Sequence, residues 1–219
     1  MVSTSDESRH DPCCSIVDLR QYTLHPGRRD TLIELFDREF VETQEAVGIH
    51  VVGQFRDLDD PDRFVWIRGF TDNTSRGAAL AAFYGGPAWK EHSRAANATM
   101  IDSDDVLMLR PVYLGDGYPE PGAPRGGATS PITATIYYVT DVSAVRHEVE
   151  PVPGAIACFQ TETAPNTFPA LPVRENERVL VWLTRVESEP VGVAERLAPY
   201  FYRPPQRLRL APTERSQLR

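Results

Sequence analysis

Lysine is nearly missing from this chain: Lys90 is the only one among 219 residues. Basic charge is therefore carried by arginine. With a formal net charge of −8, the chain lacks the clustered cations that a nucleic-acid surface needs, so no nucleic-acid partner is expected. Cysteine is also scarce. Cys13, Cys14 and Cys158 are odd in number and form no CxxC pair, so neither a disulfide nor an intrinsic metal is expected. No apolar run reaches the roughly 20 residues of a membrane span. The opening MVSTSDESRHDP has no apolar h-region, which leads to the expectation of a soluble, reducing, cytoplasmic setting without a membrane partner. HExxH, GxSxG, GxGxxG and P-loop patterns are absent, so zinc-hydrolase, serine-hydrolase, dinucleotide and NTPase chemistries lack a signature. No cofactor is signalled. Haem is the exception left open, with His92 or His50 as axial ligand, although no motif accompanies either.

What is present is a pattern of alternating strands and amphipathic helices. Ile16 to Leu24 alternates as a strand, with Val17 and Leu19 on one face and Asp18, Arg20 and Tyr22 on the other. After Pro26-Gly27, Arg28 to Val47 reads as a helix carrying Leu32, Phe36 and Phe40 at i, i+4, i+8. Gly48 suits its C-terminus. Ile49 to Arg56, Phe64 to Phe70 and Val106 to Arg110 read as strands. The last two flank a helix broken at Gly85-Gly86 and restarted at Pro87. The order β-α-β-β-α-β is the ferredoxin-like unit.

Gly115 to Pro131 is too rich in glycine and proline for a helix or ladder and reads as a linker. The pattern then restarts, with strands at Thr133 to Thr140, Ala155 to Thr161, Val179 to Val186 and Arg207 to Leu210, and a short helix within Val193 to Phe201. The first helix of this half has room only between Asp141 and Val152. Phe64-Val-Trp66-Ile-Arg-Gly aligns with Leu180-Val-Trp182-Leu-Thr-Arg, consistent with a degenerate repeat. The expected fold is α+β, two tandem ferredoxin-like units packed sheet to sheet within one chain. The expected division is a disordered segment 1–14, a first domain 15–114, a linker 115–131, a second domain 132–212 and a tail 213–219.

The candidate site follows from strand faces. Phe64, Trp66, Arg68 and Phe70 share one face, opposite Val65 and Ile67. If the aliphatic faces bed the helices, the other faces enclose a barrel holding Arg20, Tyr22, Trp66 and Arg68, with His50 and Gln54 as weaker members. Arginines in an aromatic-lined space would bind an anionic or carbonyl-bearing ring compound, whereas structural ion pairs are the competing reading. Tyr22 and His92 are the candidates for moving a proton. His92 shares a helix stripe with Trp89 and Ala96, and a surface pairing is the plainer explanation for a lone helical histidine.

Several spaced stretches together resemble the NIPSNAP family: Asp18-Leu-Arg-Gln-Tyr22, Pro26-Gly27, Gly48-Ile49, Gly53-Gln-Phe55, Phe64-Val-Trp66, Arg76, Trp89 and Val106-Leu-Met-Leu109-Arg-Pro111. The resemblance covers the first half closely and the second only in outline. It implies a dimeric α+β barrel fold, whose wider relatives include cofactor-free monooxygenases, haem-binding proteins and small isomerases or cyclases. The resulting expectation is a cofactor-independent enzyme acting on a small aromatic or polyketide-like substrate. The alternatives are a non-catalytic binder of such a ligand, or an interaction module without a cavity, which a filled barrel would favour. A homodimer is a further possible association.

Overall fold

The computed structural model of the chain describes residues 13–115, 117–127, 129–145, 154–185 and 192–219. Strand β1 (Ile16–Leu24) leads into α1 (Arg29–Leu35), a π-helical turn (Phe36–Phe40) and α2 (Val41–Glu45). Strands β2 (His50–Asp57) and β3 (Arg63–Phe70) follow, then α3 (Asn73–Gly85), α4 (Pro87–Asn97) and β4 (Met100–Leu114). The second half contains β5 (Ile132–Tyr138), α5 (Val142–Val145), β6 (Ala155–Thr161), β7 (Val179–Thr184), α6 (Val193–Leu197) and β8 (Gln206–Pro212).

Local sequence explains the boundaries. Asp72 caps α3, its side chain accepting from the Ser75 N–H at 2.7 Å, and Gly86 is extended so that Pro87 can open α4. Gly48 turns the chain from α2 into β2 with φ of 89°, a conformation costly for any residue with a Cβ. The stretch expected as one helix from Arg28 to Val47 contains the π turn. The first helix of the second half begins with α5, and its expected continuation, 146–152, lies outside the described residues.

All strand neighbours are antiparallel, and the strands close into a barrel in the order β1-β3-β2-β8-β5-β7-β6-β4. The first half supplies β4-β1-β3-β2 and the second β8-β5-β7-β6, so both halves place their strands in the order 4-1-3-2. The seams are β2 with β8 and β4 with β6. A closed barrel leaves no strand edge unpaired.

The barrel lumen is a core of buried apolar side chains. Val17, Leu19, Val65, Ile67, Leu107 and Leu109 from the first half meet Ile136, Phe159, Val181, Leu183 and Leu208 from the second, all buried. This reverses the expected facing: the aliphatic side lines the barrel, while Arg20, Tyr22, Trp66 and Arg68 lie outside it, beneath the helices. The physical reason is volume. Eight strands converge on a narrow lumen that compact branched side chains fill. The outer layer is roomier, and Phe36, Phe40, Leu80 and Phe83 on the helices cover the large side chains there.

Segments expected to be loose are packed. Cys14 and Leu218 join the barrel core, as does Tyr118 from the expected linker. The C-terminal stretch follows β2, with Thr213 N–H donating to Gln54 O at 2.8 Å and Leu218 N–H to Val52 O at 2.9 Å. The first twelve residues, expected to be disordered, lie outside the described residues.

Candidate functional site

Residues opposite one another across an antiparallel pair point to the same side. Asp18 faces Arg68, Arg20 faces Trp66, and Tyr22 faces Phe64 across β1 and β3, while Gln54 of β2 faces Trp66 from the other flank. All lie on the helix-covered side. A β-bulge between Val51 and Gly53 separates Gln54 from His50, which were expected to share a face.

Asp18 is the ionic centre of this layer. Arg68 Nε donates to its Oδ2 at 3.0 Å, and Arg76 Nε from α3 donates to Oδ1 at 3.0 Å. Arg68 Nη2 stands 3.0 Å from the same Oδ2 as an ion pair without hydrogen-bond alignment. Asp18, Arg68 and Arg76 are fully buried. Burial alone would raise the Asp18 carboxyl, but Arg68, Arg76 and Arg20 outweigh it and hold the group below the usual carboxylate range.

Next to this triad, Arg20 Nε donates to the Tyr22 hydroxyl oxygen at 3.0 Å and Arg20 Nη2 to Ser103 O at 3.4 Å. The Arg20 guanidinium lies 5.4 Å from the Tyr22 ring and 5.6 Å from the Trp66 ring, within cation–π range. Burial raises the Tyr22 phenol, with Arg20 only partly opposing it, so Tyr22 is a neutral hydroxyl near pH 7.

Tyr22 and Trp66 form the floor of a small pocket of about 20 Å³, roofed by Phe36, Phe40, Gln44, Phe83, Tyr84 and Trp89. Its rings meet edge to face, as in Phe36 with Trp66 at 4.8 Å and Tyr84 with Trp89 at 4.8 Å. Of the lining atoms, Trp66 Nε1 and Gln44 Oε1 have no hydrogen-bond partner among the described residues, and on the strands flanking Trp66 the same holds for Arg20 Nη1 and both side-chain polar atoms of Gln54. Such unpartnered buried atoms are rare in folded proteins, and the matching Trp182 Nε1 of the second half is unpartnered as well. The π turn at Phe36–Phe40 forms part of the roof, and π bulges are frequent at functional sites.

The sequence reading missed Gln44, Phe83 and the Asp18–Arg76 contact. The signal for Gln44 was a polar residue continuing the apolar stripe Leu32, Phe36, Phe40 by a further four positions.

The other candidates lie elsewhere. His92 is on α4 with its Nε2 3.3 Å from Glu39 Oε2, partly exposed and outside the pocket lining. His50 sits at one end of the barrel against Cys13, Cys14 and Gln217. A larger groove of about 660 Å³, lined by residues 160–166 and 173–179 with Leu107, Met108 and Arg110 of β4, contains none of the candidate site residues. Its walls are ionic rather than aromatic, and its Arg174 is already paired with Asp105 and Glu177.

The second half lacks the constellation. Its matching Trp182 lies between Thr135 and Cys158, where Trp66 lies between Arg20 and Gln54.

The NIPSNAP family model matches residues 17–114. No curated protein matches the chain. Among solved structures, a candidate monooxygenase from Lactobacillus acidophilus NCFM is similar over 92% of this chain and 96% of that one, with a TM-score of 0.59 and 14% identity. An anthrone oxidase-like protein is similar over 92% of this chain and 93% of that one, with a TM-score of 0.56 and 14% identity. A candidate monooxygenase from Fusobacterium nucleatum covers 90% of this chain and 91% of its own, with a TM-score of 0.56 and 8% identity. At these identities the likeness is one of fold.

Proposed function

We propose that the chain is a NIPSNAP-like protein, its residues 17–114 matching that family's model, and that it is a cofactor-independent enzyme whose substrate is a small aromatic or polyketide-like compound bearing a carbonyl or phenolic oxygen. The substrate would bind between the helices and the first-half sheet. We further read the two half-barrels as tandem ferredoxin-like units, 15–114 and 132–212, of which only the first carries the site.

The observation that carries this reading is the pair of unpaired buried donors, Arg20 Nη1 and Trp66 Nε1, beside the Tyr22 hydroxyl. Arg20 and Trp66 stand opposite one another across β1 and β3, so an acceptor oxygen bound between them would meet two donors, which would stabilise charge developing on it. Because the Tyr22 oxygen already accepts from Arg20, its proton is free to be given to substrate. No carboxylate or imidazole lines the pocket among the described residues. The site therefore suits a substrate whose C–H or O–H is already acidic, as in oxygenase, isomerase or cyclase chemistry that begins at an enol or phenol. Drug-sized ligands need about 300–1,000 Å³, so a substrate enters only when the roof opens, and we place that movement at the Gly85-Gly86 break before α4, where it would carry Trp89 away.

The second reading, an interaction module without a cavity, is favoured by the filled lumen, and a non-catalytic binder of a similar ligand is the remaining alternative. Titration with anthrone and with anthracene separates the oxygen contact from ring packing. Anthrone should bind more tightly than anthracene. Arg20→Met should weaken anthrone by about 1.5–3 kcal/mol, the worth of a charged hydrogen bond, and leave anthracene unchanged. Equal binding of the two compounds to the unaltered protein would sink the proposed role of Arg20.

A further inference from the structure

Four segments distant in sequence meet at one end of the barrel, away from the aromatic pocket. Cys13 and Cys14 precede β1, His50 opens β2, Ala123 lies in the stretch between the halves, and Gln217 lies near the C-terminus. Cys13 Sγ is 3.5 Å and Cys14 Sγ 3.4 Å from His50 Nδ1. The three donor atoms all lie within 4.8 Å of one another. The other imidazole nitrogen, Nε2, is 2.7 Å from Gln217 Oε1, and Gln217 Nε2 donates to Ala123 O at 2.8 Å.

That chain of contacts fixes the chemistry. Because the Gln217 amide nitrogen is committed to Ala123, its oxygen must face His50 and accept from Nε2–H. The Nδ1 lone pair then points at the two sulfurs. A partner that holds the far nitrogen of a histidine is the usual second layer of a metal site. Cys14 is held in place as well. A Cβ on Gly69 would fall 2.3 Å from Cys14 Sγ, so only glycine allows the sulfur to sit there.

We propose that Cys13, Cys14 and His50 bind one Zn²⁺ ion through their two sulfurs and Nδ1, with solvent in the fourth position beside the half-buried Cys13. Tetrahedral zinc with ordinary bond lengths places sulfur and nitrogen ligands about 3.6 Å apart, close to the spacing already present. Two thiolates and a divalent ion form a neutral unit, which suits a site where Cys14 and His50 are buried. A monovalent ion such as Cu⁺ would leave a net negative charge there. The sequence expectation of no metal rested on cysteine spacing alone, and the bulge that turns His50 toward the cysteines could not be seen in that spacing. The ion would tie the segment before β1 to β2 and, through Gln217, to the C-terminal stretch.

The test uses the full chain, reduced and kept anaerobic, with Zn²⁺ titrated against a chromophoric chelator. One Zn²⁺ per chain is expected. Gln217→Ala should weaken it about 10–100-fold, and Cys13→Ser should weaken it by at least about 100-fold, more than loss of an outer partner. Because a variant can be compromised in folding, Co²⁺ is also added to the unaltered protein, where a thiolate-to-cobalt charge-transfer band is expected. Absence of that band, no stoichiometric zinc uptake, or equal zinc affinity in Cys13→Ser would each overturn the proposal. Stoichiometric uptake of Cu⁺ with none of Zn²⁺ would overturn the choice of ion.

Discussion

Asp18→Ala should lower folding stability by about 3–5 kcal/mol, the range for removing one partner of a buried ion pair. Asp18 is the shared counter-charge of Arg68 and Arg76, and all three side chains are shielded from water. Without it, two guanidinium groups stay buried with no anion at 3.0 Å. Urea unfolding of the variant and the unaltered protein measures the difference, and a loss below about 1 kcal/mol, the range of exposed pairs, would show that water reaches the triad. A pH dependence accompanies this. The Asp18 carboxyl lies lower in the folded state than its unfolded value of about 3.9. Its contribution is therefore complete above that pH and disappears as pH falls through the folded value. The stability gap between the unaltered protein and Asp18→Asn should be constant near neutrality and narrow in acid.

Tyr22→Phe should reduce turnover of an oxygenated aromatic substrate by about 10²–10⁴-fold, the usual worth of a positioned acid, with little change in binding. The ring and its packing against Trp66 at 6.1 Å are retained, and only the hydroxyl is removed. Arg20 Nε would lose its acceptor, so a stability loss of about 1–3 kcal/mol should accompany the kinetic effect. His92→Ala should leave the rate unaltered, because that imidazole faces Glu39 rather than the pocket. A rate that falls with His92→Ala and survives Tyr22→Phe would reverse the two roles.

Strand positions were legible because period-2 alternation is strong in Ile16–Leu24 and Phe64–Phe70, and the Trp66/Trp182 match suggested a degenerate repeat. The side each face would take was not. Alternation separates two faces but does not say which one a closed lumen will claim, and the aliphatic set filled the narrow space. Arg20, Tyr22, Trp66, Arg68 and Gln54 were correctly grouped by face, yet they gather under the helices. His50 fell out of the group because of one extra residue at Val51–Gly53, and a single bulge reverses every side chain beyond it. The π turn at Phe36–Phe40 left no mark in a stripe read at normal helical spacing. The packed C-terminal stretch was hidden for another reason: Ser216, Gln217 and Leu218 look like an ordinary polar tail until Thr213 and Leu218 bond to β2.

The central claim is that the ligand site lies between the helices and the first-half sheet. A crystal structure of the complex with anthrone tests it most directly. The predicted result places the ring system between Phe40 and Trp66, α4 displaced from its present position, and the ketone oxygen about 3 Å from Arg20 Nη1 and Trp66 Nε1. Anthrone bound instead in the groove lined by residues 160–166 and 173–179, with the aromatic pocket still closed at about 20 Å³, would contradict it.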